Sequence, residues 1–456
     1  MEVGSASIFE GAWSAPFADS GFASAATVIG SGAVRTGDGV LFVPPSHTLE
    51  GLYFHAEGGC FAISNSLVYL LEWLGAQLSY DAHLGRRFAS AVLGIEDHRR
   101  ELLVTDRGRV NRLLHHNLLW RPDGSIVEVP KPSKGPFSDF DAYLGTLRTE
   151  IAAIFANAAD PLRAHRYQPV STCSSGYDST ACLVLARELG CKGAVTLTTA
   201  RGGEDDSGER IAQLLGVELQ AFSRMDRASP GEAAEFVATG MGGEDVIYRV
   251  FEPALAGSVL LTGFHGDKVW SKDAKPNNVL ARGDISGSSM GEFRLRTGFI
   301  HLPLPFIGAL RHADIRAISN SAEMMPWSVG GDYDRPIPRR IAEEAGVPRA
   351  LFGISKKAAS MLLFREEEQP VQPASNRLAG LPLRRRAASK LKERLFALRL
   401  KLAYRLDRAQ PRQFAHVLRD AVAADPRLFE HDRPTASLDF QEAAAAIRQR
   451  YSAAGR

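Results

Sequence analysis

Short apolar runs alternate with helix-like runs between residues 167 and 263, and this alternation limits the possible folds most strongly. The strand-like runs are YQPVSTC (167–173), GAVTLTT (193–199), VELQAF (217–222) and SVLLTG (258–263). The helix-like runs DSTACLVLARELG and DSGERIAQLLG stop at Gly190 and Gly216. This order is typical of βαβ units, in which helices cover both faces of a parallel sheet. We predict an α/β fold with a doubly wound, mostly parallel sheet.

The residues on either side of this region have other patterns. Up to about residue 130, runs such as LYFHAEGGCFAIS (52–64) and SIVEV (125–129) predict a mostly β domain with one helix, near LVYLLEWLGA. The stretch PKPSKGP (130–136) has three prolines and predicts a linker, and apolar residues at helical spacing from about Ser138 predict a helix after it. The predicted units are a β-rich domain (1–130), a second, α/β domain (137–366) and a helical, basic C-terminal segment (367–456).

Charge and cysteine content narrow the function classes. The 54 basic and 52 acidic residues give a formal net charge of +2, so no global field favours DNA as a partner. Four cysteines without a CxxC pair suit a reducing compartment and make a zinc site unexpected. The first residues lack the charge and apolar pattern of a signal peptide, and no apolar run is long enough to span a bilayer. We expect a cytoplasmic protein.

The segment SSGYDS (174–179) joins a predicted strand to a predicted helix. Its glycine permits close approach of a ligand, and the helix directs its first N–H groups at the loop. Such junctions bind anions, most often phosphate, although serine or aspartate can also simply cap the helix. The loop GFHGD (263–267) ends another predicted strand, so we expect it at the same edge of the sheet.

These segments resemble the motifs of a known family. SSGYDS is similar to the S-G-G-x-D-S pyrophosphate loop of the N-type ATP pyrophosphatases (the PP-loop superfamily). LLTGFHGDKVW (260–270) resembles the L-S-G-x-G-x-D-E-L-F motif of asparagine synthetase, and VPRALFGISKKA (347–358) resembles its late lysine-bearing segment. GGCFAISNSLVYLLEWLGAQL (58–78) more faintly resembles the glutaminase domain. The resemblance implies an asparagine synthetase-like protein whose residues 138–366 have an adenine nucleotide α-hydrolase-like fold.

The resemblance also implies cofactors and site residues. The chain would bind ATP and Mg²⁺, adenylate a carboxylate and transfer the acyl group to an amine or ammonia. The expected nucleotide contacts are Ser174, Ser175, Gly176, Asp178, Ser179, Thr199, Gly263 and Gly266. Asp178 and Asp267 would hold Mg²⁺, which prefers one or two carboxylates plus phosphate oxygens. Lys356 would be the catalytic lysine, with the adjacent Lys357 as its rival.

Several positions depart from the family pattern. Ser175 replaces the first glycine of the loop, Phe264 stands where an acidic residue is usual, and Lys268 replaces a glutamate. The glutaminase domain uses an amino-terminal cysteine, whose own amino group acts as the base, whereas this chain has Glu2. The cysteine nearest the start is Cys60, so we expect no glutamine hydrolysis.

Three functions remain open. The first is an AMP-forming amide ligase of the beta-lactam synthetase or lasso-peptide cyclase type, whose partners are a carboxylate-bearing small molecule or peptide and an amine. The second is asparagine synthesis or sugar amidation with ammonia, and the missing glutamate weighs against asparagine. The third is a non-catalytic nucleotide-binding scaffold.

Two charged segments have plain structural interpretations. We expect the acidic run Glu204, Asp205 and Asp206 to form a solvated face that caps the next helix, rather than an adenine or ribose pocket. The stretch LRRRAASKLKERLFALRLKLAYRLDR (383–408) places leucines at helical spacing among basic residues. It predicts an amphipathic helix packed on the synthetase domain; the alternative is contact with an acidic partner, a membrane surface or RNA.

Overall fold

The structure, a computed structural model, describes residues 2–3, 6–81, 83–225, 230–361, 363, 428 and 435–452. The basic stretch 383–408 lies outside the described residues, so its helix and its partner stay predictions. Among the helices in the described ranges, none combines the length and the apolar character needed to cross a bilayer.

The first 130 residues form two antiparallel sheets. Their strands are β1 (Glu2–Val3), β2 (Ser7–Trp13), β3 (Val28–Thr36), β4 (Gly39–Val43), β5 (Leu52–Glu57), β6 (Cys60–Ser64), β7 (Glu101–Thr105), β8 (Gly108–Leu113), β9 (Asn117–Trp120) and β10 (Ile126–Val129). One sheet has the order β1-β2-β3-β4-β9-β10 and the other β6-β5-β8-β7. The predicted mostly β character is confirmed, with LYFHAEGGCFAIS forming the hairpin of β5 and β6.

The expectation of one helix in this part was wrong. The predicted helix is α1 (Leu67–Trp73), and two shorter helices follow it, α2 (Leu84–Ala89) and α3 (Gly94–Asp97). With six and four residues, these two are too short to produce a recognisable apolar period. After β10, residues 130–138 carry no helix or strand.

The central layer is a five-stranded parallel sheet, which confirms the α/β class. Its strands are β11 (Gln168–Thr172), β12 (Gly193–Leu197), β13 (Glu218–Phe222), β14 (Ser258–Thr262) and β15 (Ile300–Pro303). They lie in the order β13-β12-β11-β14-β15, and every neighbouring pair is parallel. The first four strands lie where the sequence predicts them. The fifth falls in a segment for which no element was predicted.

The helices that the structure describes in the second part of the chain begin after the predicted linker. They are α4 (Phe140–Ala158), α5 (Tyr177–Glu188), α6 (Glu209–Leu215), α7 (Pro230–Val237), α8 (Glu252–Leu255), α9 (Gly266–Val269), α10 (Gly291–Thr297), α11 (His312–Ser319), α12 (Pro336–Glu344) and α13 (Ala436–Ser452). Asp139 caps α4 by accepting a hydrogen bond from the Ala142 N–H at 2.8 Å. The apolar face predicted for α4 is buried in the main core, from Phe140 to Phe155.

Buried polar contacts join the β-rich part to the parallel sheet. Arg294, which is 3% exposed, contacts Glu10 at 2.6 Å and Glu50 at 2.9 Å. Thr27 donates a hydrogen bond to Glu150 on α4 at 2.6 Å. The last described helix, α13, packs against both α1 and α7. The two parts of the chain therefore support one another through charged groups shielded from water.

Candidate functional site

The loop at 174–179 lies where β11 ends and α5 begins. β11 is the middle strand: β12 and β13 lie on one side of it, and β14 and β15, which come later in the chain, lie on the other. Ligands of open parallel sheets bind at the carboxyl ends of the strands where the strand order reverses. The predicted loop lies at this point of reversal, and the 263–267 loop follows the neighbouring strand.

Polar groups within the first loop bond to one another and to a neighbouring loop. The hydroxyls of Ser174 and Ser179 are 2.7 Å apart, and the Ser174 hydroxyl also accepts the Gly176 N–H at 3.1 Å. The Ser175 N–H donates to the backbone carbonyl of Asp206 at 3.3 Å. Gly176 has a φ of −82°, so its backbone does not demand glycine. An anion that binds in this loop would have to replace some of the hydrogen bonds that these groups already make with one another.

The two predicted motifs touch at Asp178. A Cβ atom on Gly263 would come within 2.5 Å of the Asp178 Cβ, and one on Gly266 within 2.5 Å of its Cγ. Between them His265 adopts a φ of 75° and turns the chain into α9. Glycine is required at 263 and 266 because a side chain would collide with Asp178. The second loop is thereby held against the first turn of α5.

The Asp178 carboxylate has one oxygen in an ion pair and one without a partner. Its Oδ2 accepts from the Arg335 guanidinium, which lies over the Tyr333 ring at 4.8 Å. Its Oδ1 is buried, and no residue that the structure describes donates to it. Burial raises the pKa of Asp178; Arg335 opposes this shift and nearby Asp267 adds to it.

Asp178 and Asp267 could hold Mg²⁺ only together with ligands from another molecule. Asp267 is 25% exposed, and its Oδ2 lies 3.9 Å from the Lys356 ammonium and 3.8 Å from that of Lys268. Across the described ranges, no cluster of three or more His, Cys, Asp or Glu could hold a metal. Mg²⁺ commonly uses one or two carboxylates and takes phosphate oxygens and water for the rest. Asp178 and Asp267 therefore suit an ion that arrives with a nucleotide.

Residues 353–361, which we name the crossing segment, run across the carboxyl edge of the sheet. The Gly353 N–H donates to the Ser175 carbonyl at 2.8 Å, beside β11. The Ala358 carbonyl accepts the Arg201 N–H at 2.8 Å, beyond the end of β12. This segment contains Lys356 and Lys357, the two candidates for the catalytic lysine.

The two adjacent lysines face different parts of the site. Lys356 is 69% exposed and approaches Asp267. Lys357 is 21% exposed, and its ammonium donates to the Ser175 hydroxyl at 2.8 Å and to the Asp205 carbonyl. Lys356 is thus beside the predicted metal ligand, whereas Lys357 is beside the predicted pyrophosphate loop.

Asp206 is a site residue that the sequence interpretation missed. We expected a solvated acidic face, but Asp206 is 8% exposed and accepts the Ser175 hydroxyl hydrogen bond at 2.7 Å. The physical reason is a backbone bridge between Ser174 and Ser207, which draws the acidic run against the loop. Thr199, the predicted adenine-side residue, is half-buried and forms a similar bridge with Asp205.

Phe264 and Lys268, the two departures in the second motif, have different surroundings. Phe264 packs between Tyr248 and His301, with ring centroids 5.6 and 5.8 Å apart. It therefore fills apolar space where the family pattern has a carboxylate. Lys268 is 42% exposed beside Asp267.

Comparison of the chain with protein-family models gave no match, and comparison with curated proteins gave none either. The asparagine synthetase-like resemblance therefore rests on the motifs themselves, and functional inference rests on the geometry of the two loops and the crossing segment.

Proposed function

We propose that this chain is an ATP-dependent, AMP-forming amide ligase of the asparagine synthetase-like type, with a doubly wound nucleotide-binding domain and no glutaminase activity. The observation that carries the proposal is the close packing of Gly263 and Gly266 against Asp178. This packing unites the predicted phosphate loop and the predicted metal motif at adjacent strand ends, where parallel sheets bind ligands.

In the proposed reaction, the hydroxyls of Ser174, Ser175 and Ser179 hold the β- and γ-phosphates of ATP. Asp178 and Asp267 would hold Mg²⁺, which when bound neutralises phosphate charge. A substrate carboxylate attacks the α-phosphorus, the bond to the β-phosphate breaks, and pyrophosphate leaves. An amine then attacks the acyl carbon of the acyl-adenylate, and AMP leaves as the amide forms.

Lys356 has the catalytic role in this proposal. Its exposed ammonium near Asp267 can reach a substrate at the mouth of the site. A positive charge there would stabilise negative charge that grows on the α-phosphate or on the oxyanion of amide formation. The amine is a substrate amine rather than free ammonia, and amide produced from added ammonium chloride would favour the ammonia-using alternative.

A second candidate function is nucleotide binding without catalysis. The ion pair between Arg335 and Asp178 favours it, because the guanidinium already occupies one oxygen of the predicted metal ligand. Phe264 and Lys268 also replace two acidic positions of the second motif. A scaffold of this kind would bind Mg·ATP and leave the α–β phosphate bond intact.

Calorimetry and isotope exchange together test the proposal. The full chain should bind Mg·ATP, and Asp178→Asn should weaken binding by at least about 10-fold, since even outer-shell changes at metal sites cost 10- to 100-fold. Equal affinity in both proteins would remove Asp178 from the site.

Exchange of labelled pyrophosphate into ATP should then appear with some member of a panel of amino acids and short peptides. Binding of Mg·ATP without exchange for any member would favour the scaffold.

A further inference from the structure

Lys357, Ser175 and Asp206 form a set of mutual contacts that the motif resemblance does not include. The Lys357 ammonium lies 2.8 Å from the Ser175 hydroxyl oxygen and 4.0 Å from the Asp206 carboxylate. The same hydroxyl donates to Asp206 at 2.7 Å. Ser175 is the residue that replaces the family's glycine. Its side chain therefore gives both the lysine and the aspartate a contact on the loop.

Asp206 places a negative charge beside the loop that is predicted to bind phosphate. Its side chain is 10% exposed, and a buried carboxylate without a cationic partner is strongly destabilising. It also repels any phosphate that enters the adjacent loop. Burial raises its pKa, and the Ser175 hydrogen bond and the Lys357 charge oppose that shift. Lys357, 4.0 Å away, is a cation that partly compensates the charge of Asp206.

Lys357 is also placed to meet an incoming anion. The backbone of the crossing segment is held at Gly353 by the Ser175 carbonyl and at Ala358 by the Arg201 N–H. The lysine between these two contacts starts from a fixed position. Its ammonium has three rotatable donors, so it can keep the Ser175 contact while it exchanges Asp206 for a phosphate oxygen.

We propose that Lys357 binds the pyrophosphate end of the nucleotide, and that Asp206 is a resident counter-ion that the incoming anion displaces from Lys357. This inference deepens the proposed function and rests on it. It gives the adjacent lysines separate tasks: Lys357 serves phosphate binding, and Lys356, near Asp267, serves the chemical step.

The two partners should have opposite effects on binding. Removing the Lys357 charge deletes a charge-assisted contact and should weaken pyrophosphate binding by about 10- to 100-fold. Removing the Asp206 charge deletes a competitor and a repulsive neighbour, and should tighten binding by about 3- to 10-fold. If the set merely fastened the crossing segment to the loop, both substitutions would weaken binding.

The experiment is calorimetric titration of the full chain with inorganic pyrophosphate and, separately, with Mg·ATP. The proteins are wild type, Lys357→Met, Asp206→Asn and, as the control, Lys192→Met, at an exposed position outside both loops and the crossing segment, which should change affinity by less than about 3-fold. Lys357→Arg keeps the charge and should recover most of the affinity. Should Lys357→Met fail to fold, Lys357→Gln carries the same test.

The outcomes separate this inference from the proposed function. Wild-type affinity in Lys357→Met, or weaker binding in Asp206→Asn, overturns the inference and leaves the proposed function standing provided that Mg·ATP binds. Absence of binding of both probes to the wild type overturns both. Weakening by Lys357→Met together with tightening by Asp206→Asn, for either probe, supports the counter-ion exchange.

Discussion

A methyl group on Gly266 would come within 2.5 Å of the Cγ atom of Asp178. Non-bonded carbon atoms do not approach so closely, because they would overlap; atoms in a packed interior are already at van der Waals contact. The position of the Asp178 carboxylate relative to the 263–267 loop therefore depends on the missing side chain at 266. The two loops are 84 residues or more apart in the sequence, yet this glycine allows them to pack against each other.

The first prediction follows from that contact. Gly266→Ala should displace Asp178 or α9 and weaken Mg·ATP binding by about 10-fold or more, as calorimetry would measure. Gly145→Ala is the control, because Gly145 lies on the exposed side of α4 with no atom within 4 Å of its added Cβ. The control should bind normally and gain about 0.5–1 kcal/mol of stability. Normal Mg·ATP binding in Gly266→Ala would show that the contact does not position the carboxylate for the ligand.

A second prediction concerns the chemical step. Lys356→Met should keep Mg·ATP affinity within a few-fold and lose about 10²- to 10³-fold in the rate of amide formation, since it removes one electrostatic contact to the transition state. Single-turnover AMP release with the carboxylate that supports exchange would measure this. Lys192→Met, at an exposed position outside both loops and the crossing segment, is the control. A near-normal rate in Lys356→Met would transfer the catalytic role elsewhere.

The third prediction concerns the contact between the β-rich part and the sheet. Arg294→Met leaves Glu10 and Glu50 without their cation, and should cost about 3–5 kcal/mol in the free energy of unfolding. The matched change at an exposed pair, Arg100→Met opposite Glu128, should cost less than about 1 kcal/mol. Urea unfolding of the three proteins would compare them. Similar small losses for both variants would mean that the buried network contributes little.

The fourth prediction concerns pH. His301 is buried and bonds to the Thr262 hydroxyl at 2.7 Å, and burial, with a smaller effect of Arg294, lowers its pKa to about 3. An unfolded histidine titrates near pH 6.5, so the unfolded chain takes up this proton first and the folded state loses stability as the pH falls from 6.5 towards 3. His301 alone should account for about 2 kcal/mol between pH 7 and 5. His301→Gln should show a correspondingly smaller loss between pH 7 and 5 in urea unfolding. An unchanged pH dependence in the variant would contradict it.

Local patterns in the sequence were sufficient for most of the parallel sheet and for α4. Runs such as SVLLTG form β14 because a strand buried on both faces needs a continuous apolar run, and all five residues of β14 are buried. β15 escaped prediction because its four residues include a histidine and a proline. It pairs with β14 alone, at the edge of the sheet, where proline is tolerated.

The sequence by itself also determined the residue types of the candidate site: hydroxyls and a glycine before a helix, glycines before Asp267, and a late pair of lysines. Only the tertiary structure decided which of these groups meet. Ser175 contacts Asp206 across 31 residues and Lys357 across 182, and Arg335 reaches Asp178 across 157. No local period encodes such pairs, because they depend on the order of the strands and on backbone bonds that hold the crossing segment over them. Lys356 approaches Asp267 and Lys357 contacts the loop although the two lysines are adjacent, because residues 356–357 lie in irregular backbone whose course depends on these tertiary contacts.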